Sequence, residues 1–170
     1  LNLGFKFLKE RFEDYLREVV GSVLLKPNEE IIRLWTGNSK VPGVDFEDET
    51  NTPLRTLEKL IFLNFNYTNT VSKYIQKIKQ SYDFESEPIE IQIHGRVDDK
   101  TNPIIFGFGD EMDDNYKLLE KINNNRYLDY MKSFGYFKTN NYRLLHKSIH
   151  AAPFEVFIMG HSCGLSDRVM

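Results

Sequence analysis

Three short segments, separated by stretches with helical spacing, constrain the fold of this chain more than any other feature. LEKLIFLNF (Leu57–Phe65) and FEVFIMG (Phe154–Gly160) are apolar runs of strand length, and IEIQIHG (Ile89–Gly95) alternates between apolar and polar residues. Such runs are typical of strands buried on both faces of a parallel sheet, and strict alternation is typical of a half-buried strand. Strands that alternate with helices predict an α/β fold, with a mainly parallel sheet flanked by helices.

Helical spacing is clearest near the N-terminus, where Phe5, Leu8, Phe12 and Leu16 recur at intervals of three or four residues. This pattern predicts an amphipathic helix that packs against a core. Further helices are predicted over residues 28–35, from about Thr70 onward, over 110 to about 133, and over 141–151. The turn formers and acids of residues 36–53 predict a surface loop, and residues 103–109 are interpreted as a short strand or turn.

Composition excludes several classes of protein. The chain has 170 residues, a formal net charge of −3 and one cysteine, Cys163. It therefore has no intrachain disulfide, no multi-cysteine zinc site and no charge signature of a nucleic-acid binder. No apolar run approaches the ~20 residues of a membrane span, so a single cytoplasmic domain over residues 1–170 is expected. Because the chain starts at Leu1 within a helical pattern and ends just after a helix start, we expect a fragment of a longer protein.

Polar clusters follow each of the three predicted strands. The first contains Asn66, the second is His94-Gly95, and the third is GHS, residues 160–162. In open parallel sheets, ligands bind in the crevice beyond the carboxyl ends of the strands. The three clusters are therefore expected to converge in space, although they are far apart in the chain.

Each cluster has a structural and a functional interpretation. Asn64, Thr68 or Asn69 can cap the following helix, whereas the amide of Asn66 can hold a ribose hydroxyl or a water molecule. His94 is either a satisfied histidine at a strand edge or a general base near neutral pH. Gly95 permits a close approach of the backbone.

The third cluster also has two interpretations. Gly160, His161 and Ser162 suit a turn that contacts a nucleotide through backbone N–H groups and a hydroxyl. The form GHSCG also matches a hydrolase nucleophile elbow, but in those enzymes the acid and base follow the serine, and here only a few residues remain. His146 and His150 have a spacing that could hold a metal, but without the glutamate of a zinc-protease motif they are interpreted as ordinary helix residues.

Taken in order, FNYTNTV, IQIHG, PIIFGFGDE and FEVFIMGHSCGLSD resemble the bacteriophage abortive infection AbiH family. That family is in turn similar to sirtuin-like NAD-binding domains. The resemblance covers about residues 55 to 170 and implies a Rossmann-like, sirtuin-like core that is incomplete at both ends. The Gly-rich first loop of such a core would precede Leu1.

The resemblance also implies roles for individual residues. Asn66 matches an asparagine that positions water or ribose, and His94 matches a histidine that acts on the ribose hydroxyls. Gly160 and Ser162 match residues at the adenosine-side ribose, and Asp167 matches an acid that follows that turn. The full set of residues predicted to bind the nucleotide is Tyr67, Thr68, Gly95, Gly160, His161, Ser162 and Asp167.

The implied function is an anti-phage NAD glycohydrolase that cleaves the nicotinamide–ribose bond, with NAD as substrate and no required cofactor or metal. The alternative is a non-catalytic nucleotide sensor, which Thr68 favours because sirtuin-like proteins usually have an aspartate there. A third interpretation is an interaction module that docks a partner through YMKSFGYF (Tyr130–Phe137), a segment equally suited to core packing. A nucleotide, a phage-derived trigger and further copies of the chain are the expected partners.

Overall fold

The computed structural model describes residues 2–23, 26–36, 59–81, 86–107, 114–122, 124–127, 129, 131–164 and 167. Internal contacts divide the chain into two compact units: residues 1–23, 63–68 and 91–170 form the first, and residues 24–62 and 69–90 form the second. The six described helices are α1 (Asn2–Tyr15), α2 (Glu29–Trp35), α3 (Thr70–Ser81), α4 (Asp114–Lys121), α5 (Lys132–Tyr136) and α6 (Asn141–Ile149). The two described strands are β1 (Ile61–Asn64) and β2 (Ile89–Gln92).

The two strands form a parallel pair. The N–H of Ile89 donates to the carbonyl of Leu60 at 3.0 Å, and the N–H of Ile93 donates to the carbonyl of Asn64 at 3.0 Å. Both partners advance by four positions, which is the register of parallel strands. Parallel strands need a long crossover connection, and α3 lies between the two strands in the chain. The mixed helix and strand composition predicted from the sequence is therefore confirmed.

The second unit has its own apolar core. Ile32 of α2 and Tyr74 and Ile78 of α3 are buried together, and Ile78 is 0% exposed. The Trp35 ring lies 4.8 Å from that of Phe62 and 5.0 Å from that of Tyr74. The helical spacing of these residues places the apolar side chains of each helix on one face, as is typical of amphipathic helices.

Local capping determines where α2 begins. Asn28 is its N-cap, and its side-chain oxygen accepts the N–H of Glu30 at 2.8 Å. The backbone N–H of Asn28 donates to the Tyr74 hydroxyl at 3.1 Å, which fixes the cap within the second unit. The predicted helix over residues 28–35 is thus confirmed, and its start follows from an ordinary N-cap preference.

The first unit joins the N-terminal helix to the segments that follow the strands. The ring of Phe12 in α1 lies 5.4 Å from the Tyr67 ring and 5.1 Å from the Phe106 ring. The predicted helix is confirmed and a π-helical turn, Leu16–Val20, extends it, but Leu8, expected on its core-facing side, is 59% exposed. Buried Ile91, Ile93, Ile104 and Ile105 supply the aliphatic part of this unit's core.

The prediction of a buried strand over Phe154–Gly160 is wrong. Residues 153–159 have no regular secondary structure, and the side chains of Val156 and Ile158 are 68% and 64% exposed. A strand buried on both faces needs neighbouring strands and helices that cover it. The part of the chain that the structure describes offers this segment no strand partner, so its apolar composition alone does not make it a strand.

Other sequence-based boundaries are also corrected. The helix expected over 110 to about 133 is divided into α4, a short 3₁₀ turn (Asn125–Tyr127) and α5. Residues 103–107 have no regular secondary structure, which agrees with the turn rather than the strand of the two predicted alternatives, and the N–H of Ile105 donates to the His94 carbonyl at 2.7 Å. Of the predicted loop over residues 36–53, all but Thr36 lies outside the described residues. No described helix has the length and apolar character required to cross a membrane.

Candidate active site

The turn after β1 is organised by an asparagine at the strand end. Asn64 is 3% exposed, and its side-chain oxygen accepts the backbone N–H of Asn66 at 2.9 Å and the side-chain amide of Asn66 at 3.3 Å. An asparagine that bonds two residues ahead forms an Asx turn, which reverses the chain locally. This turn leaves Asn66 exposed and presents the backbone carbonyl of Phe65 to the next strand end.

His94, which follows β2, is held in one tautomer by its two neighbours. The residue is 5% exposed, its Nδ1 lies 3.1 Å from the Phe65 carbonyl oxygen, and its Nε2 lies 3.0 Å from the Tyr136 hydroxyl. Because a carbonyl can only accept, Nδ1 carries the proton. In the neutral ring Nε2 then carries a lone pair, which accepts the Tyr136 hydroxyl, and Oδ1 of Asp167 lies 3.1 Å from the same nitrogen.

A single carboxylate links His94 to two further groups. Oδ1 of Asp167 lies 3.1 Å from Nε2 of His94, and Oδ2 lies 3.3 Å from Nε2 of His161. The ammonium of Lys132 is bonded to Oδ1 of the same carboxylate. The Lys132 and Asp167 side chains are 7% and 13% exposed, so this ion pair is largely removed from water.

His161 has the opposite tautomer to His94. The backbone N–H of Cys163 donates to its Nδ1 at 3.0 Å, so Nδ1 has no proton and Nε2–H can donate to Asp167. The ring of Phe65 lies against that of His161, with 4.0 Å between the ring centroids. The geometry thus orients His161 toward the carboxylate rather than toward solvent.

Burial and nearby charges together determine the protonation of His94, Tyr67 and Tyr136. Burial, assisted by the Lys132 cation and opposed by Asp167, lowers the pKa of His94 to about 4. Burial and the Asp167 charge raise the pKa of Tyr67 to about 12 and raise that of Tyr136 as well. At neutral pH the short contact between His94 and Asp167 is therefore not an ion pair. The Lys132 ammonium offsets the repulsion between the lone pair and the carboxylate.

The structure brings together residues from all three predicted clusters. Phe65 contacts both His94 and His161, and the Asp167 carboxylate lies 3.1 Å from the first imidazole and 3.3 Å from the second. The convergence occurs although the third cluster does not follow a strand. The ring of Tyr67 lies 6.0 Å from that of His94, and its hydroxyl donates to the Ile105 carbonyl at 3.1 Å.

The other predicted binding residues lie around this cluster or in the turn that leads to it. The carbonyl of Thr68 accepts the side-chain amide of Gln92 at 2.9 Å. Gly95 has φ +80°, and a Cβ there would lie 2.2 Å from the Pro103 carbonyl oxygen, so the backbone approach requires glycine. Gly160 has φ +66° and, like Ser162, is exposed to solvent.

Sequence reasoning missed two residues of the cluster, Lys132 and Tyr136. Both lie on α5, within the aromatic segment interpreted as a docking surface or core, and Tyr136 is 4% exposed. Their spacing of four residues places them on the same face of a helix. The available sequence signal for these two residues was a lysine four positions before a tyrosine, within a segment rich in aromatic residues.

Within the described ranges of the chain, neither a metal centre nor the groove beside α6 coincides with this cluster. Among the described residues, no group of three or more His, Cys, Asp or Glu side chains could hold a metal ion. A groove of about 710 Å³ is lined instead by residues of and next to α6, among them Arg143, His146 and Lys147. The described part of the chain therefore offers His94, His161, Asp167, Lys132 and Tyr136 as its candidate catalytic cluster.

Comparison with known proteins gives one result. The family model described as "Bacteriophage abortive infection AbiH" matches residues 3–170. No curated protein and no solved structure matches the chain. The match covers both compact units and every residue of the cluster.

Proposed function

Because the chain belongs to the bacteriophage abortive infection AbiH family, its role is in phage abortive infection, and we propose that it acts there by hydrolysing NAD. The proposed reaction cleaves the bond between nicotinamide and ribose. NAD⁺ and water give ADP-ribose, nicotinamide and a proton. Loss of NAD in an infected cell would halt metabolism before phage replication ends, which is the outcome that abortive infection requires.

The tautomer of His94 carries this proposal. Its Nδ1–H is fixed on the Phe65 carbonyl, and its Nε2 lone pair already accepts a hydroxyl, that of Tyr136. A ribose hydroxyl is the same kind of donor and can replace the phenol hydroxyl at Nε2. With its pKa lowered to about 4, His94 is neutral at physiological pH, so its Nε2 is unprotonated and can accept a hydrogen bond from that hydroxyl.

The remaining residues supply binding and water in this proposal. Cleavage leaves an oxocarbenium-like ribose, so an enzyme accelerates it by stabilising that cation and positioning water. Asn66, which follows Phe65 in the chain, is exposed and has an amide that can hold the water. The residues proposed to contact the nucleotide are Tyr67, Thr68, Gly95, Gly160, His161, Ser162 and Asp167.

A specific observation favours a second candidate function, a nucleotide sensor without turnover. Nε2 of His94 is covered by Tyr136 and Asp167, and the residue is 5% exposed. A substrate must displace the Tyr136 hydroxyl before His94 can act on it. A protein that binds a nucleotide beside a closed His94 would signal through a change of shape rather than through chemistry.

Nicotinamide release from NAD by the full-length protein tests these alternatives. The variants are His94→Gln and, as a matched control, His146→Gln, which changes an exposed histidine of α6. We expect release by the wild type and the control, and a loss of about 10²–10⁴-fold in the His94 variant. Circular dichroism establishes that each variant is folded.

The other outcomes are equally informative. Binding of NAD without release by any of the proteins would support the sensor. Release at the wild-type rate by His94→Gln would exclude His94 as the base and contradict the proposal.

A further inference from the structure

Lys132 occupies a place that is unfavourable for a lysine. It is the first residue of α5, where the helix dipole opposes a positive charge, and it is 6% exposed. Removing an ammonium from water is also unfavourable unless a counter-charge lies beside it. The Asp167 carboxylate, bonded to the Lys132 ammonium, is that counter-charge.

Asp167 is shared among three partners. Its Oδ1 is bonded to Lys132 and lies 3.1 Å from Nε2 of His94, and its Oδ2 lies 3.3 Å from His161. One carboxylate therefore faces the Lys132 side chain and two imidazole rings. Protonation of His94 would place a second cation against a carboxylate that is already paired.

The groups that face His94 come from three segments. Lys132 and Tyr136 approach from α5, Phe65 and Tyr67 from the turn after β1, and His161 and Asp167 from the C-terminal segment. Among these groups, Asp167 supplies the negative charge and Lys132 the positive charge. The protonation of His94 therefore depends on how strongly Lys132 holds Asp167.

We propose that Lys132 is a positioning residue for His94: by pairing with Asp167, it offsets the negative charge that would stabilise protonated His94 and so keeps Nε2 unprotonated. The catalytic meaning of this inference rests on the proposed function. The effect of Lys132 on the protonation of His94 does not rest on that function, because the protonation of His94 can be measured without substrate.

A charge cycle measured by NMR on labelled histidine side chains tests the proposal. The proteins are the wild type, Lys132→Met, Lys132→Arg, Asp167→Asn and the double variant Lys132→Met/Asp167→Asn. We expect Lys132→Met to raise the pKa of His94 by about 1–3 units, since Asp167 becomes free to pair with it. Lys132→Arg keeps the cation and should keep the wild-type pKa.

The double variant separates charge from loosened packing. With both charges removed, burial alone acts on His94, so its pKa should return close to the wild-type value. If Lys132→Met merely opened the fold, the pKa of His94 would stay raised in the double variant. An unchanged pKa in Lys132→Met, or a raised pKa in the double variant, would overturn the proposal.

The pH profile of nicotinamide release adds a catalytic readout. In Lys132→Met the acidic limb of the profile should move to higher pH by the same interval as the pKa of His94, and Lys132→Arg should restore it. If the wild type releases no nicotinamide, the proposed function fails, and the NMR cycle still decides the role of Lys132.

Discussion

Nε2 of His94 accepts a hydrogen bond from the hydroxyl of Tyr136 at 3.0 Å, and the two residues are 42 positions apart in the chain. Both side chains are buried, at 5% and 4% exposure. This contact joins the end of β2 to α5, and it presents to the histidine the kind of donor that a sugar hydroxyl would be. This contact and the packing around it lead to four predictions about the stability of the first unit.

Removing the Tyr136 hydroxyl should destabilise the protein. Tyr136→Phe leaves the buried Nε2 of His94 without its donor, and a buried acceptor left unsatisfied costs about 1–3 kcal/mol of unfolding free energy. Urea unfolding at pH 7 measures this. The control is Tyr142→Phe on the exposed face of α6, where a change below about 0.5 kcal/mol is expected. Equal effects of the two substitutions would show that the His94 contact contributes nothing to stability.

His94 should make the protein less stable in weak acid. Its pKa is lowered from 6.5 to about 4 in the folded state, so between those values the unfolded chain binds a proton that the folded chain does not. The free energy of unfolding then falls as the pH falls from about 6.5 to 4, by up to about 3 kcal/mol. Above about pH 6.5 the contribution of His94 is fully present and constant.

Urea unfolding at several pH values, with the wild type and His94→Gln compared, isolates that contribution. His146, His150 and His161 are retained in both proteins, so their titration cancels in the difference. The difference in unfolding free energy should change across pH 4–6.5 and be flat above it. Parallel curves over the whole range would mean that the pKa of His94 is not lowered by folding.

Gly95 should not tolerate a side chain. In Gly95→Ala the Cβ would lie 2.2 Å from the Pro103 carbonyl oxygen at a φ of +80°, so steric overlap adds to a backbone strain of about 1–3 kcal/mol. Gly160→Ala is the matched control, because Gly160 has φ +66° but no atom within 4 Å of the added Cβ. Thermal unfolding should show the larger loss in Gly95→Ala. A larger or equal loss in Gly160→Ala would contradict the close approach at Pro103.

The exposed apolar segment should be insensitive to truncation. Ile158→Ala and Ile93→Ala delete the same atoms, but the first side chain is 64% exposed and the second is 0% exposed. We expect a loss of about 2–5 kcal/mol for Ile93→Ala and a change within about 0.5 kcal/mol for Ile158→Ala. Chemical denaturation compares the two variants directly. A large loss in Ile158→Ala would restore the interpretation of residues 154–160 as a buried strand.

Local patterns in the sequence determined the helices and the two paired strands. The spacing of Phe5, Leu8 and Phe12 predicts α1, Asn28 caps α2, and the alternation of Ile89, Ile91 and Ile93 predicts β2. Each of these signals acts between residues within a few positions of one another, so the sequence alone carries it. The position of His94 at a strand end is determined in the same way.

The tertiary structure alone decided whether residues 154–160 pair as a strand and which groups surround His94. Pairing depends on a neighbouring strand, and the described residues provide none for this segment. The contacts of Lys132 and Tyr136 with the cluster span 35 and 42 positions, beyond the reach of any local pattern. The tautomer of His94 follows from its contact with the Phe65 carbonyl, and its lowered pKa arises from burial and the Lys132 charge, opposed by Asp167; these surroundings exist only once the chain has folded.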